Sequence, residues 1–312
     1  MIERLFPGFL LFISVCATVI VQAEDTTELP EWCRKLPRPI YRSLDRLLAD
    51  EPWFEVYKIR PCVFAIYEPR QFQEVISFLI TGKDRALLLD TGMGIASIRK
   101  VVSKLTSLPV IVINTHSHPD HVGGNAEFSE IWGIDGDYTR SNANGNSKPW
   151  LKDWVHPPNV CGQLPEEFNP AHYKIAPFKI THYVKDGDEI DLGDRQIQVI
   201  LTQGHTPDSL CIYDQKNRLL FTGDTFYPGP IYLFVPETDF TSYVRSVDRI
   251  ASMKNVDLLL PSHNEPTANP KILSSLLQAA QAVQTGKAKF TVSEGLREYA
   301  FDGFSLLLAP KP

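Results

Sequence analysis

The sequence is short of positive charge, of internal repeats and of sustained apolar runs, and each shortage removes a class of function. Lys and Arg number 31 against 37 Asp and Glu, giving a formal net charge of −6, and no basic run occurs along the 312 residues. Binding to a phosphate backbone draws on clustered cations, so nucleic acid is not expected as a partner. No segment recurs at a fixed period and no low-complexity tract is present, which argues against a solenoid or a long disordered region. No Asn-x-Ser/Thr acceptor occurs, so glycosylation supplies no mark of a eukaryotic secretory route. What the chain does have is 43% hydrophobic residues, enough for a full core in one large domain or two small ones.

The one long apolar stretch is at the N-terminus, MIERLFPGFLLFISVCATVIVQA. Arg4 supplies a basic start, Phe9 to Val21 an apolar centre, and Val21-Gln22-Ala23 a small-residue cleavage site, the pattern of a signal peptide over residues 1–23. Pro7 and Gly8 interrupt the run and leave it short of the roughly 20 residues that span a bilayer. The expectation is export to a periplasmic or extracellular space, without stable membrane association after cleavage; an uncleaved N-terminal anchor is the alternative. Cleavage removes Glu3 and Arg4 together and leaves the charge at −6. It also removes Cys16 and leaves Cys33, Cys62, Cys161 and Cys211, an even number that permits a disulfide in an oxidising compartment without specifying the pairing.

Further on, short apolar runs alternate with helical patterns. VISFLI (75–80), ALLL (86–89), VIVI (110–113), IQVIL (197–201), RLLF (218–221) and DLLL (257–260) have the length and branching of buried strands, and LCIY places Cys211 in another. Residues 95–105, 243–253 and 272–283 carry apolar positions at helical spacing. Strands interleaved with helices predict an α/β layered fold. Two regions break the rhythm. Residues 134–172, rich in Gly, Asn and Pro, predict a long insertion with little regular structure, and FYPGPIYLFVPE (226–237) is aromatic and punctuated by proline.

Chemistry concentrates at the strand ends. Asp90, His116, His205, Asp224 and His263 each lie just past a predicted strand, where α/β sheets bind ligands. His116 and His118 are two apart and point to one side of an extended segment, while GGNAEF suggests a helix starting around Asp120 and His121 that aims these at a second point. Two metal ions sharing one site is the natural consequence. Five of the eight histidines fall in these motifs, and imidazole with carboxylate suits Zn²⁺, with Fe or Mn as alternatives.

The motifs ALLLDTGMG, HSHPDH, QGHTPDSL, LLFTGDT and LLLPSH, in this order from about Trp53 to Pro266, resemble the metallo-β-lactamase-fold hydrolases. The resemblance implies a four-layer αββα sandwich with a binuclear site at one edge. It assigns His116, His118 and His205 to one metal, Asp120, His121 and His263 to the other, Asp224 to a bridge, and Asp90 to the support of the ligand histidines. It implies attack by a hydroxide shared between the ions, oriented by Asp120, on a small-molecule acyl substrate. Asp224 in TGDT matches the glyoxalase II-like, thioesterase and lactonase branch rather than the β-lactamases, which generally lack it, so a thioester, ester or lactone hydrolase is expected, with β-lactam hydrolysis the alternative. In lactonase-like members a tyrosine placed as Tyr227 is donates to the substrate carbonyl; a ring merely packed in its loop is the competing expectation. The implied organisation is an N-terminal extension over 24–52, a catalytic domain over 53–290 containing the 134–172 insertion, and a C-terminal segment over 291–312.

Other residues suggest plainer roles. Trp150, Trp154, Tyr232 and Phe234 can wall an apolar pocket, and the expectation is that only some of them do while the rest pack under their loops. His156, His172 and His182 lie outside any motif and are expected at the surface or in structural positions. Asp208 is expected as a turn or cap residue, Cys211 in the core, and DGDEIDLGD (186–194) as a hairpin turn rather than a calcium loop.

Overall fold

The computed structural model describes residues 29–310; the signal peptide expected over 1–23 lies outside them. The chain first builds an eight-stranded sheet in sequential order: β1 (Asp45–Leu47), β2 (Glu55–Arg60), β3 (Val63–Tyr67), β4 (Ile76–Thr81), β5 (Ala86–Leu89), β6 (Val110–Ile113), β7 (Ile131–Ile134) and β8 (His182–Val184). Strands β1 to β5 pair antiparallel through short turns. From β5 to β8 the pairing is parallel, because α1 (Ile98–Leu105) and the later crossovers return the chain to the same edge.

The second sheet is formed by β9 (Glu189–Asp191), β10 (Gln196–Leu201), β11 (Leu210–Asp214), β12 (Leu219–Gly223) and, beyond β13 (Gly229–Leu233), β14 (Leu258–Pro261). Between β13 and β14 runs α4 (Phe240–Ala251), capped by Asp239, whose side chain accepts from Thr241 N and Ser242 N. After β14 come α5 (Ile272–Gln284) and β15 (Thr291–Ser293), β16 (Leu296–Phe301) and β17 (Phe304–Leu308). These last three join β13 in a separate four-stranded sheet.

The apolar runs are continuous because both faces of each main sheet are covered, and period-two alternation sorts their side chains. Ile76, Phe78, Ile80, Leu87, Leu89, Ile111 and Ile113 meet Ile197, Val199, Ile212 and Phe221 in the core between the sheets, where the Phe78 and Phe221 rings lie 5.3 Å apart. The intervening Leu79, Leu88 and Val112 pack outward under α1 and the 134–172 insertion. Ile200, Cys211 and Leu220 pack outward under α4 and α5. The result is the expected four-layer αββα arrangement.

The six predicted strand runs and the LCIY run all form strands, and the three predicted helices form within a few residues of their expected bounds. Around Asp120 the helix is brief, α2 (Pro119–Val122) followed by a 3-10 turn at Asn125–Glu127. The 134–172 insertion holds only α3 (Asp137–Ala143) and 3-10 turns, as its composition suggests. It is nevertheless anchored: a Cys33–Cys161 disulfide (Cα–Cα 5.7 Å) ties it to the N-terminal extension, and Cys161 N donates to Arg70 O at 2.7 Å. Cys62 and Cys211 are free, Cys211 buried in β11 as expected. The C-terminal segment is woven into the fold, with Tyr299, Phe304, Leu306 and Leu308 packed in the same cluster as α4 and α5. Among the described residues, no helix is long and apolar enough to cross a membrane.

Candidate metal centre

Five strand ends converge at one edge of the sandwich. Asp90 follows β5, His116 follows β6, His205 follows β10, Asp224 follows β12 and His263 follows β14. The two sheets are stitched together there by Leu210 N donating to Thr115 O (2.8 Å) and Ile76 N donating to Ser262 O (2.8 Å). Asp90 is fully buried and has a left-handed backbone (φ 63°), a conformation that costs a non-glycine residue about 1 kcal/mol or more. It is held there by its own hydrogen bonds. Its Oδ1 accepts from Thr115 N (2.7 Å), and its Oδ2 accepts from Thr115 Oγ1 (2.9 Å) and Ser262 Oγ (3.2 Å) and faces His121 Nδ1 at 2.9 Å. The turn after Asp90 needs glycine at Gly92: φ is +67°, and a Cβ would lie 1.8 Å from Glu68 Oε1, which accepts from Met93 N.

The hydrogen bonds of the five histidines assign their protons. His205 Nδ1 lies 2.7 Å from Tyr232 O, and His263 Nδ1 lies 2.6 Å from Gln73 O. His121 Nδ1 faces Asp90 Oδ2, and His118 Nε2 lies 3.1 Å from Glu237 Oε1. His116 Nδ1 is 3.2 Å from Thr115 Oγ1, whose own hydrogen goes to Asp90. Each of these oxygens accepts, so the outward nitrogen of every ring carries a proton, and the inward one offers a lone pair once any second proton has left it. The inward nitrogens nearly touch. His116 Nε2 to His118 Nδ1 is 2.9 Å, His118 Nδ1 to His205 Nε2 is 3.1 Å, and His121 Nε2 to His263 Nε2 is 3.2 Å. Lone pairs facing at such distances repel unless a cation lies among them.

Asp224 completes the cluster. Its Oδ2 is 3.5 Å from His205 Nε2, while its Oδ1 is 3.4 Å from His121 Nε2 and 3.1 Å from His263 Nε2. That Oδ1 is buried and, among the described residues, has no hydrogen-bond partner. With His263 Nδ1 directed at Gln73 O, the approach of its Nε2 to Oδ1 is favourable only with a second proton on that ring or a cation between the two atoms. An orphaned buried carboxylate oxygen among inward lone pairs fits a divalent cation. The donors fall into three sets with mutual distances within 4.8 Å: His116, His118 and His205; Asp120, His121 and His263; and His116, His121 and Asp224. The third set spans the other two, which is where a bridging carboxylate belongs.

Charge is uneven across the cluster. Burial and the neighbouring imidazoles, against the pull of Asp224, push His205 down to about 4 and His116 well below its usual range. At His121, burial is outweighed by Asp120, Asp90 and Asp224, which raise it to about 10; His263 is raised over its own burial penalty by Asp224. Asp224 is held well below the carboxylate range, since His263, His121 and His116 outweigh its burial. The Asp120 corner thus attracts positive charge, and a metal binding there displaces a proton.

The cluster forms the floor of an open cleft of about 770 Å³. Phe72, Trp154 and Trp150 form one group of contacting rings in its lining and Tyr232 and Phe234 another, with Tyr227 beside His263. All four candidate aromatic residues, Trp150, Trp154, Tyr232 and Phe234, line the cleft, where only some were expected to. Tyr227 is buried, with its ring 4.8 Å from that of His263. Its hydroxyl accepts from Tyr232 N (3.2 Å), and among the described residues its own hydrogen has no acceptor. Packing and an available donor proton therefore coexist at Tyr227.

Several supporting residues carry no motif. Glu237, 119 residues from His118, accepts from it and from Tyr138 OH (2.7 Å); these hydrogen bonds, led by that of His118, hold its carboxyl down at about 2. Asp208, expected only to shape a turn, is buried and accepts from Ser117 Oγ, Thr139 Oγ1 (3.0 Å) and Thr206 Oγ1 (2.7 Å), which couples the loops carrying His116, His118 and His205. A polar side chain within HTPDS was the available signal; its three partners were not. His156, His172 and His182 lie outside the cluster and exposed, His182 against Trp132 with rings 4.2 Å apart. In 186–194, Asp188 accepts from Lys185 N and Asp191 from Gly193 N, the hydrogen bonds of tight turns.

Comparison with known proteins agrees with this geometry. Acyl-coenzyme A thioesterase MBLAC2 of Gallus gallus is 28% identical over 202 residues, which cover 60% of this chain and 71% of that one. A hydroxyacylglutathione hydrolase of Enterobacter sp. (strain 638) is 24% identical over 208 residues, 66% of this chain and 68% of that one. Among solved structures, a metallo-β-lactamase from Pontibacter korlensis matches with a TM-score of 0.51 at 18% identity, over 73% of this chain and 99% of its own, a likeness of fold. The model of the metallo-β-lactamase superfamily matches residues 72–263, more than half of the chain and every donor of the cluster. This chain belongs to the metallo-β-lactamase superfamily and is a hydrolase with His and Asp clusters able to hold metal.

Proposed function

We propose that the cluster holds two divalent cations, zinc by its donor set, and that the protein hydrolyses an acyl thioester, with ester or lactone substrates served by the same chemistry. The observation that carries this is the set of five inward-facing imidazole nitrogens around the buried carboxylate of Asp224. His116, His118 and His205 would hold one ion, Asp120, His121 and His263 the other, and Asp224 both. Bound there, two cations supply Lewis-acid polarisation of a carbonyl and acidify water toward neutral pH. The chain's own residues do the rest. Asp120, at the cleft floor, accepts a hydrogen from the attacking water and so aims its lone pair at the acyl carbon. Tyr227 donates its unspent hydroxyl hydrogen to the carbonyl oxygen as negative charge develops there. Outward hydrogen bonds to Tyr232 O, Gln73 O, Glu237 and Asp90 keep the rings from turning.

A thioester is preferred over a lactone because relatives of this chain are named as an acyl-coenzyme A thioesterase and a hydroxyacylglutathione hydrolase. Export is proposed with it, supported by the Cys33–Cys161 disulfide, since such bonds persist in oxidising compartments. The test is a set of initial rates with the zinc-loaded protein on S-lactoylglutathione, octanoyl-coenzyme A, an acyl lactone and nitrocefin. Faster turnover of a thioester is expected. Preferred cleavage of nitrocefin would overturn the assignment.

A further inference from the structure

The cleft walls are built for a particular shape of ligand. We infer that the cleft is a slot for an unbranched apolar acyl chain, seated between Phe72, Trp154 and Trp150 on one side and Tyr232 and Phe234 on the other. The inference rests on the hydrolase reading above and names the part of the substrate that the metal floor does not address.

Three observations carry it. First, the aromatic surface is uncovered. Trp150 is 41% exposed, Phe72, Trp154, Tyr232 and Phe234 are each half-buried, and all five face the same open space above the donor cluster. Soluble proteins seldom leave contiguous apolar surface open without a ligand for it. Second, the backbone groups around these rings are already engaged. Tyr232 N and O are used by Tyr227 and His205, Gln73 O by His263, and Trp154 O by Gln71 Nε2 (3.2 Å). With the backbone spent, the walls offer a ligand chiefly ring faces and edges, with the Trp150 and Trp154 indole N–H groups and the Tyr232 hydroxyl as their polar points. Third, the rings do not make a parallel pair. Trp150 and Trp154 are tilted at 58°, Phe72 meets Trp154 edge-on at 88°, and Tyr232 and Phe234 lie at 47°. Neighbouring rings within each wall are thus inclined to one another, which makes each wall curved rather than flat, and a flexible methylene chain conforms to such a surface.

The slot is also fixed in advance. Phe72 N donates to Asn159 O (3.1 Å), Trp32 Nε1 donates to Pro158 O (2.9 Å), and the Cys33–Cys161 disulfide closes the same junction. A preorganised wall binds without the ordering cost that a mobile loop would add. Asn142, Asn146 and Lys148 also line the cleft and give it a polar part beside the rings.

The experiment is calorimetric binding of acetate, butyrate, hexanoate and octanoate to the zinc-loaded protein. Each buried methylene should tighten binding about fourfold, the factor that corresponds to about 0.8 kcal/mol. Trp154→Ala, and separately Phe234→Ala in case one variant fails to fold, should reduce that factor to below about twofold while zinc content and circular dichroism persist. A flat series in the parent protein, an unchanged slope in both folded variants, or phenylacetate binding more tightly than octanoate would each overturn the slot. The two readings separate cleanly. A chain-length slope with no ester or thioester cleavage keeps the slot and removes the hydrolase, whereas cleavage indifferent to chain length does the reverse.

Discussion

The floor of the cleft and its walls are made by opposite means. The floor is five strand ends of two sheets, locked by buried hydrogen bonds so that Asp90 alone faces Thr115, His121 and Ser262. The walls come from the 134–172 insertion, the turn between β3 and β4 that carries Phe72, and β13 with the residues just after it; their rings are partly exposed, and a disulfide and a few backbone contacts hold the insertion. Rigid elements hold reacting groups to tenths of an ångström, whereas loops define a shape that can change without disturbing them. On this division the floor sets the reaction and the walls set what is brought to it.

The largest test of that division is Asp120→Ala. Hydrolysis should fall by about a thousandfold, within the range expected on loss of a positioned proton acceptor, with the fold intact by circular dichroism. An unaffected rate would remove the floor as the chemical centre. Next comes Asp90→Asn, which replaces an acceptor of His121 Nδ1–H by an amide and disturbs two hydroxyl contacts. Metal affinity, followed by competition with a chelator, should drop by about 10- to 100-fold. Affinity at the parental level would mean the ring is held by its packing alone.

Glu237→Gln probes the joint between the two regions, because Glu237 accepts both from His118 on the floor and from Tyr138 on the rim. An amide oxygen still accepts one of these hydrogens, so a loss of about tenfold in metal affinity is expected, at the lower end for such supporting contacts. A change in KM without a change in metal affinity would place Glu237 with the walls instead. The smallest effect on chemistry is expected from Cys33→Ser. Its bridge spans a sequence separation of 128, and its loss should cost about 2–4 kcal/mol of stability, read by thermal unfolding. Zinc affinity should remain while KM rises. Loss of zinc together with the disulfide would break the comparison, by showing that the wall supports the floor.

The floor was the more legible region. Its donors announce themselves because each motif is local: His116, His118, Asp120 and His121 lie within six residues, and each remaining donor sits beside an apolar run whose length marks a strand. The fold was readable for the same reason wherever strands are buried on both faces. It was less so in β15, whose three residues are all exposed and so bear no hydrophobic signature. Neither Glu237 nor the role of Asp208 could be read, because their partners lie 119 and 91 residues away and belong to no pattern. The carbonyls of Gln73 and Tyr232 are more hidden still, since any residue supplies a backbone oxygen.

By itself the sequence determined which donor atoms exist, in what order, and that they would gather at strand ends, since residue type and short spacing fix what the end of a strand can present. Only the tertiary structure decided which ring nitrogen faces inward, which two cysteines pair, and which rings border the cleft. Those outcomes depend on contacts between segments far apart in the chain, which exist only once the two sheets have packed face to face and drawn the loops across their common edge.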